Sequence, residues 1–277
     1  MMRAKQIRVR PDSAGADVPL SPLIDCHAHL ADTAFDGDRH DVLRRARAAG
    51  VAGVIAVGET LAEARRNLSL AEVHRELLPT AGLFPTHIDL DEASRVEEWI
   101  RSHCNRLVAI GEVGLDHWKV QDPSEREVQA EIFRRFTRLS VELDLPLNVH
   151  SRSAGARAIS LLIEQGARRV QLHAFDGRPA RAMAAVEAGF LFSIPASIVR
   201  SRQKQKLVRR LPLERLLLET DSPVLSPDPG KRNEPAQLRL ALAAVAEIKE
   251  KSEAYVAEIV LANTLSLYPA VDRLVQS

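Results

Sequence analysis

Five short apolar runs in this chain each lead into a side chain that can bind a metal ion, and this repetition constrains the fold more than any other feature. The first run leads into His27 and His29, which are separated by one residue. Because side chains alternate along an extended strand, both imidazoles point to the same side if this segment is a strand. The other four runs end at Glu112, His150, His173 and Asp221. The pattern predicts strands whose ends converge on one site.

Apolar runs alternate with longer amphipathic stretches from Leu23 onward, which is typical of parallel strands joined by crossover helices. Eight strands are predicted, over residues 23–26, 51–57, 80–84, 107–112, 145–150, 168–173, 190–194 and 215–220. Eight strand–helix units within about 250 residues predict an α/β fold, a (β/α)8 TIM barrel with its site at the C-terminal ends of the strands. An open doubly wound sheet is the alternative, but the sequence has no glycine-rich phosphate-binding turn.

Helix signals fill the intervals between the predicted strands. One helix is predicted over 61–77, with Pro79 after it as a stop signal, and another starts after Asp122-Pro123-Ser124 and continues to about Leu143. Beyond the eighth strand, two extra C-terminal helices are predicted over 234–250 and 253–267. No low-complexity linker or change of composition divides the chain, so we expect a single domain.

The first residues differ from the rest of the chain. Residues 1–21 are charged and rich in turn formers, and they lack the apolar segment of a secretory signal. We expect a poorly ordered N-terminal extension, or a short leading strand over 6–10, followed by one barrel over 22–277.

Charge and cysteine content limit the classes of partner and compartment. Lys plus Arg is 38 and Asp plus Glu is 37, so no overall basic field favours nucleic-acid binding. Any polyanion must therefore be held by local charges or by metal ions. Cys26 and Cys104 do not make a disulfide framework, which predicts a reduced, cytoplasmic protein. The sequence contains no run of about 18 apolar residues, so we expect no membrane-spanning helix. No feature indicates an obligate protein partner.

The six side chains at the strand ends indicate hydrolytic chemistry. Four imidazoles and two carboxylates exceed the needs of one tetrahedral zinc ion, but they suit two divalent ions that share a bridging carboxylate. Such a pair activates a water molecule for attack and neutralises charge on the substrate. The sequence shows neither a nucleophilic Ser or Cys with a neighbouring base nor a dinucleotide-binding glycine motif, so covalent catalysis and hydride transfer are poorly supported.

Six motifs follow one another along the chain and include all six candidate ligands. They are Asp25-Cys-His-Ala-His-Leu30, Ile110-Gly-Glu-Val-Gly-Leu-Asp116, Asn148-Val-His-Ser-Arg152, Leu172-His-Ala-Phe-Asp-Gly177, Leu217-Leu-Glu-Thr-Asp-Ser-Pro223 and Pro229-Gly-Lys-Arg-Asn-Glu-Pro235. In this order they resemble the signature of the TatD family of metal-dependent deoxyribonucleases, which belongs to the amidohydrolase-like barrel superfamily. The resemblance covers about residues 23–268.

The resemblance implies a role for each candidate ligand. His27 and His29 would bind one metal ion together with Asp221, whereas His150 and His173 would complete the second site. Glu112 would bridge the two ions, and Asp221 would also orient or deprotonate the attacking water, so both carboxylates are candidate catalytic residues. The resemblance implies Mg²⁺ or Mn²⁺ as the ions in use, whereas the purified protein could carry bound Zn²⁺.

Three cations near the strand ends are candidate substrate contacts. Arg152, two residues after a predicted ligand, could clamp a phosphate, or could pair with a surface acid. Lys231 and Arg232 could contact substrate from the loop after the eighth strand, or could belong to a solvated turn. The basic run over 200–210 could follow a nucleic-acid backbone or form the solvated face of a helix.

One segment departs from the family pattern. Phe84 and Thr86 stand where the family commonly has two histidines, and His87 lies one position later. Phe84 could stack on a terminal base or could cap the third strand.

The predicted activity is hydrolysis of DNA ends, single-stranded or 3′, by a phosphodiesterase or exodeoxyribonuclease that uses a metal-activated water. The alternatives are hydrolysis of a small amide, lactone or other ester, and a metal-stabilised binding protein without turnover.

Overall fold

The structure is a computed structural model that describes residues 20–276. The expected extension and the leading strand at 6–10 fall outside the described residues, except for the last two residues of the extension. Eight parallel strands form one sheet in sequence order: β1 (Leu23–Ala28), β2 (Val51–Ala56), β3 (Leu77–Ala81), β4 (Ala109–Gly114), β5 (Leu147–His150), β6 (Val170–Leu172), β7 (Leu191–Pro195) and β8 (Leu216–Glu219).

The first and last strands meet and bring the sheet nearly to closure as a barrel. The backbone N–H of Asp221 donates to the carbonyl of His27 at 2.9 Å, and that of His29 donates to Ser222 at 2.7 Å. The buried Asp25 carboxylate accepts from the Thr220 backbone N–H at 2.9 Å and from its hydroxyl at 2.5 Å. The prediction of a TIM barrel is confirmed.

Helices alternate with the strands and surround the barrel. They are α1 (Arg39–Ala48), α2 (Leu61–Val73), α3 (Leu90–His103), α4 (Pro123–Leu143), α5 (Gly155–Glu164), α6 (Pro179–Glu187), α7 (Arg202–Arg210), α8 (Leu238–Lys249), α9 (Glu253–Leu267) and α10 (Asp272–Val275). The predicted C-terminal helices are present. As predicted, α4 begins at the Asp122 signal, where the carboxylate accepts from the N–H groups of Ser124 and Glu125 and Pro123 occupies the first turn.

The boundaries around the third strand were predicted wrongly. α2 ends at Val73 rather than at residue 77, because His74 adopts an extended conformation and a turn follows. β3 then starts at Leu77, whose side chain is fully buried, and ends at Ala81 rather than at residue 84. Pro79 therefore lies inside the strand and does not terminate the helix. The first closing helix begins at 238 rather than 234, because Pro235 starts a separate 3-10 turn.

Cys26 is fully buried, and its Sγ lies 3.6 Å from the hydroxyl of Thr264 on α9 rather than in the site. Within 20–276, no single helix is long and apolar enough to cross a membrane, and one sharply bent pair, Glu253–Leu267 with Pro269–Val275, meets the criterion by length and composition alone.

Candidate metal centre

The fold brings all six predicted ligands together at the C-terminal ends of the strands. His27, Glu112 and His150 lie within β1, β4 and β5, whereas His29, His173 and Asp221 lie in the segments just after β1, β6 and β8. Glu112 and His27 are at most 1% exposed, so they lie at the bottom of the site.

Glu112 occupies the centre of the cluster, and its two oxygen atoms face different histidine pairs. Oε1 lies 2.7 Å from Nδ1 of His150 and 2.9 Å from Nε2 of His173. Oε2 lies 3.5 Å from Nε2 of His27 and 3.6 Å from Nε2 of His29. One carboxylate thus contributes an oxygen to each of two sets of imidazole donors.

Asp221 completes the set on the side of the first strand. Its Oδ1 lies 3.6 Å from Nε2 of His27 and 3.3 Å from Nε2 of His29. Three groups of three residues each have donor atoms that lie within 4.8 Å of one another, a spacing suited to one ion per group. These groups are His27, His173 and Asp221; His27, His29 and Glu112; and Glu112, His150 and His173.

The donor set fits divalent cations. Oε2 of Glu112 and Nδ1 of His173 are buried and have no hydrogen-bond partner within the described part of the chain. An unpartnered buried carboxylate oxygen is costly unless a cation approaches it. Imidazole and carboxylate together are ligands for zinc, manganese and related ions.

Neighbouring side chains fix the orientation of two imidazoles. Nδ1 of His27 lies 2.8 Å from the side-chain oxygen of Asn148, whose amide nitrogen donates to the Cys26 carbonyl at 3.0 Å. Nε2 of His150 lies 3.1 Å from a carboxylate oxygen of Asp116. Such partners hold a histidine so that its other nitrogen faces the ion. We had not predicted a role for Asn148 or Asp116, although both occur in the quoted motifs.

Charges within the cluster keep its two central carboxylates ionised. Burial opposes ionisation of Glu112, but the surrounding imidazoles, His173 and His27 foremost, hold its pKa well below the ordinary value. Asp221 is affected in the same way by His29 and His27, and its pKa is also lowered. Burial acts to lower the pKa of His27, yet the carboxylates raise it to about 10.

Glu219 lies behind the cluster, with Oε2 3.8 Å from Nδ1 of His173. Its carboxylate accepts from the backbone N–H of Ala174 at 2.8 Å and from the Ser193 hydroxyl at 2.5 Å. Burial raises its pKa to about 8, and the charge of Asp221 adds to this. Glu219 therefore supports the segment that follows β6 and does not face open space.

A cavity of about 400 Å³ opens above the cluster. Phe84 lines it and packs edge-on against the His150 ring, with centroids 4.9 Å apart. Thr86 is exposed, and His87 is paired with Glu92 at 3.3 Å. Neither takes the place of a ligand.

Lys204 is a cavity residue that we missed in the sequence. It lines the cavity, is only 8% exposed, and donates from Nζ to the Ala174 carbonyl at 2.9 Å. Within 20–276, no carboxylate lies within ion-pair distance of it. We had grouped it with the basic run, but its spacing to Leu207 and Val208 places it on the buried face of α7.

Arg152 lies at the rim of the cavity. Its guanidinium is 3.7 Å from the centroid of the Trp118 ring, a cation–π contact, and Trp118 is 51% exposed. Lys119 also lines the cavity. Within 20–276, no carboxylate lies within 4 Å of the Arg152 guanidinium, so the alternative of a surface ion pair is not seen there, and a contact with substrate stays a prediction.

Lys231 and Arg232, by contrast, do not line the cavity. Arg232 donates to both carboxylate oxygens of Asp38 at 2.8 and 2.7 Å and to the Ala34 carbonyl at 2.6 Å. Lys231 is 75% exposed and pairs with Asp228. Arg232 fastens its loop to the start of α1, and its contact with substrate stays a prediction.

Known proteins resemble this chain over nearly its whole length. A sequence model of the family described as TatD related DNase matches residues 24–269. Human deoxyribonuclease TATDN3 is 44% identical over 269 residues, which cover 92% of this chain and 97% of the human protein.

Two bacterial proteins extend the comparison. The 3′-5′ ssDNA/RNA exonuclease TatD of Erwinia tasmaniensis is 35% identical over 229 residues, covering 78% of this chain and 88% of that protein. The crystal structure of YJJV, a TatD homologue from Escherichia coli K12, superposes with a TM-score of 0.82 at 27% identity, covering 89% of this chain and 98% of that one. With a match of this extent in both sequence and fold, the chain belongs to the TatD-related DNase family.

Proposed function

We propose that this protein is a metal-dependent phosphodiesterase that removes nucleotides from the 3′ end of single-stranded DNA, using two divalent ions. The observation that carries the proposal is the division of the Glu112 carboxylate between two histidine pairs. One oxygen faces His27 and His29, and the other faces His150 and His173. A single carboxylate placed in this way is suited to bridge two ions.

The residues divide into two ligand sets. His27, His29 and Asp221 would hold one ion, His150 and His173 would hold the other, and Glu112 would contribute to both. When bound, the ions supply Lewis acidity that activates a water molecule and offsets the charge that builds up on the phosphate. We propose Mg²⁺ or Mn²⁺ as the ions in use, with Zn²⁺ also accepted by so many imidazoles.

Other side chains handle the proton and the substrate. Asp221 is ionised at neutral pH and borders the cavity, so it can accept a proton from the attacking water. Lys204 supplies a positive charge at the cavity wall, and Arg152 supplies a second at the rim. Phe84 offers a ring face to the terminal base, and stacking of this kind tolerates any base.

The shape of the site and the relatives support an exonuclease. Ligands that converge from five strands leave a cavity closed at the bottom, which admits a chain end more readily than the middle of a stiff duplex. The human relative is named as a deoxyribonuclease and the Erwinia relative as a 3′-5′ ssDNA/RNA exonuclease. The net charge of +1 makes local contacts and bound metal the main source of affinity.

The test is digestion of single-stranded DNA labelled at its 5′ end, with Mg²⁺, Mn²⁺ or EDTA. We expect a ladder of shortened products with either ion and none with EDTA. The variant Asp221→Asn should keep the fold and lose most of the turnover. Intact DNA alongside metal-dependent cleavage of a small carboxylic ester or amide would instead assign the site to another hydrolase of the superfamily.

A further inference from the structure

A groove leads away from the catalytic cavity between α6 and α7. Asp176 lines both the catalytic cavity and the first part of the groove, beside Arg178 and Lys206. The groove continues past Lys206 to Arg209 and Arg210 at the end of α7. The shared lining residues make one continuous surface from the metal cluster to the outside of the barrel.

The groove combines positive charge with an apolar floor. Arg178, Lys206, Arg209 and Arg210 are exposed, and no carboxylate within 20–276 lies within 4 Å of their charged groups. Among the described residues, Asp176 is the only acidic residue that lines the groove, and both of its carboxylate oxygens already accept from the single backbone N–H of Ser153. The floor consists of Pro179, Ala180 and Met183.

This composition matches one class of polymer. A single strand of nucleic acid carries a regular row of phosphates together with bases that have large apolar faces. The unpaired cations suit the phosphates, and the apolar floor suits the bases or sugars. An acidic peptide would use the cations but would leave the floor without a complementary surface.

We propose that the α6–α7 groove binds the part of a single-stranded nucleic acid that follows the nucleotide held in the catalytic cavity. The inference rests on the proposed function, because it assumes that a chain end occupies that cavity. The nine residues of α7 span about 13.5 Å, which corresponds to roughly four phosphates at the spacing of one strand of a duplex. The basic face of α7 then holds the strand while its buried face presents Lys204 to the cavity.

The test compares two charge-matched triple variants of the full chain loaded with Mn²⁺. The groove variant is Arg178→Glu with Lys206→Glu and Arg209→Glu. The control is Arg65→Glu with Arg168→Glu and Arg273→Glu, which are exposed residues on α2, ahead of β6 and on α10. Each is assayed on a fifteen-nucleotide oligothymidylate and on a thymidine dinucleotide.

We expect the groove variant to raise KM for the long substrate at least tenfold, with little change in kcat. Kinetics on the dinucleotide should match the native protein, because a dinucleotide does not reach the groove. The slope of log KM against log salt should fall by about 2, since each lost contact to a single strand removes about 0.7. The control should behave as the native protein on both substrates.

Unchanged KM and salt slope for the long substrate in the groove variant would overturn the inference. Competition by polyglutamate as strong as by an oligonucleotide of equal charge would also overturn it, because the floor would then play no part. If the triple variant does not fold, Lys206→Ala with Arg209→Ala should give a smaller change in the same direction. A native protein that cleaves neither substrate would refute the proposed function itself, which is a separate outcome.

Discussion

At the scale of single residues, Glu112 stands out as a buried carboxylate at the centre of the metal cluster. It is 1% exposed, is surrounded by four imidazoles and remains ionised because of them. A carboxylate in this environment is stable only with positive charge on both sides, supplied by protons or by metal. We therefore expect metal binding to depend on the charge of Glu112 rather than on its shape.

The variant Glu112→Gln tests this dependence, since it keeps the shape and removes the charge. We expect bound metal to fall from the proposed two ions per chain to one or none, and turnover to fall at least a hundredfold, because each proposed ion would lose a ligand. Elemental analysis of the purified variant, together with the DNA assay, measures both effects. Two ions still bound with native affinity would rule out the bridging role.

Lys204 allows a prediction that separates function from stability. A buried ammonium bonded only to a carbonyl costs free energy, and burial lowers its pKa. Lys204→Met removes the charge with little change of volume, so thermal stability should stay the same or rise. Turnover on the dinucleotide should fall about 10- to 100-fold, if the charge supports the reacting phosphate as one electrostatic contact commonly does.

The matched control for Lys204 is Lys206→Met, two residues further along α7 and exposed. It should leave dinucleotide turnover unchanged. A fall in melting temperature with native activity in Lys204→Met would show instead that this lysine is structural.

The role of a residue could be predicted where its signal lies in the neighbouring sequence. The six ligands could be predicted because each ends or closely follows an apolar run, and the barrel carries such positions to one place. Asn148 and Asp116 act through another side chain, so neither spacing nor periodicity reveals which imidazole each one holds. Lys204 was hidden within a basic run, and only its helical spacing to Leu207 and Val208 distinguishes it.

At the scale of elements, the loop after β8 acts as a brace between the two ends of the barrel. Arg232 binds Asp38 and the Ala34 carbonyl, while the buried Asn233 donates to the carbonyls of Thr220 and Val224 at 2.7 and 2.9 Å. Arg45 adds a bidentate contact to Glu234. These bonds hold the loop beside the site without placing Arg232 or Arg45 in the cavity.

The variant Arg232→Ala should therefore affect stability more than substrate binding. We expect the melting temperature to fall by about 2–4 °C, the usual effect of a modest loss in a protein of this size. KM for the dinucleotide should stay within twofold of the native value. A tenfold rise in KM with an unchanged melting temperature would show instead that Arg232 contacts the substrate.

Strands were predicted more accurately than the boundaries between elements. Buried strands read as continuous apolar runs, so all eight were found. The error at β3 arose because proline was interpreted as the end of a helix, although Pro79 lies within a strand. Because β3 ends at Ala81 and not at residue 84, residues 84–86 lie in the loop after the strand. Their contacts could not be predicted while the end of the strand was misplaced.

At the scale of the whole molecule, metal binding and folding are coupled through protons. In the metal-free protein the carboxylates raise the pKa of His27 to about 10 and that of His150 to about 9, against the opposing effect of burial. Both rings are therefore protonated at neutral pH. Each ion that binds must displace such protons.

The sign of the pH dependence follows directly. Raised histidine pKa values stabilise the metal-free fold below the ordinary histidine pKa, and this contribution is lost as pH rises towards 9 to 10. Metal affinity changes in the opposite direction, by about tenfold per pH unit for each displaced proton. The difference in melting temperature between Mn²⁺-loaded and EDTA-treated protein should therefore be larger at pH 8 than at pH 6. An equal difference at both values would show that no proton is exchanged.

The junction of β1 and β8 has a consequence for the order in which the protein acquires activity. His27 and His29 come from the first strand and Asp221 from the last, and the two strands are joined through Asp25 and Thr220. During synthesis the ribosome makes these partners almost two hundred residues apart. An unfinished chain can therefore gather some of the histidines but lacks the carboxylate that completes the set. The full set of six ligands therefore exists only once the last strand is in place.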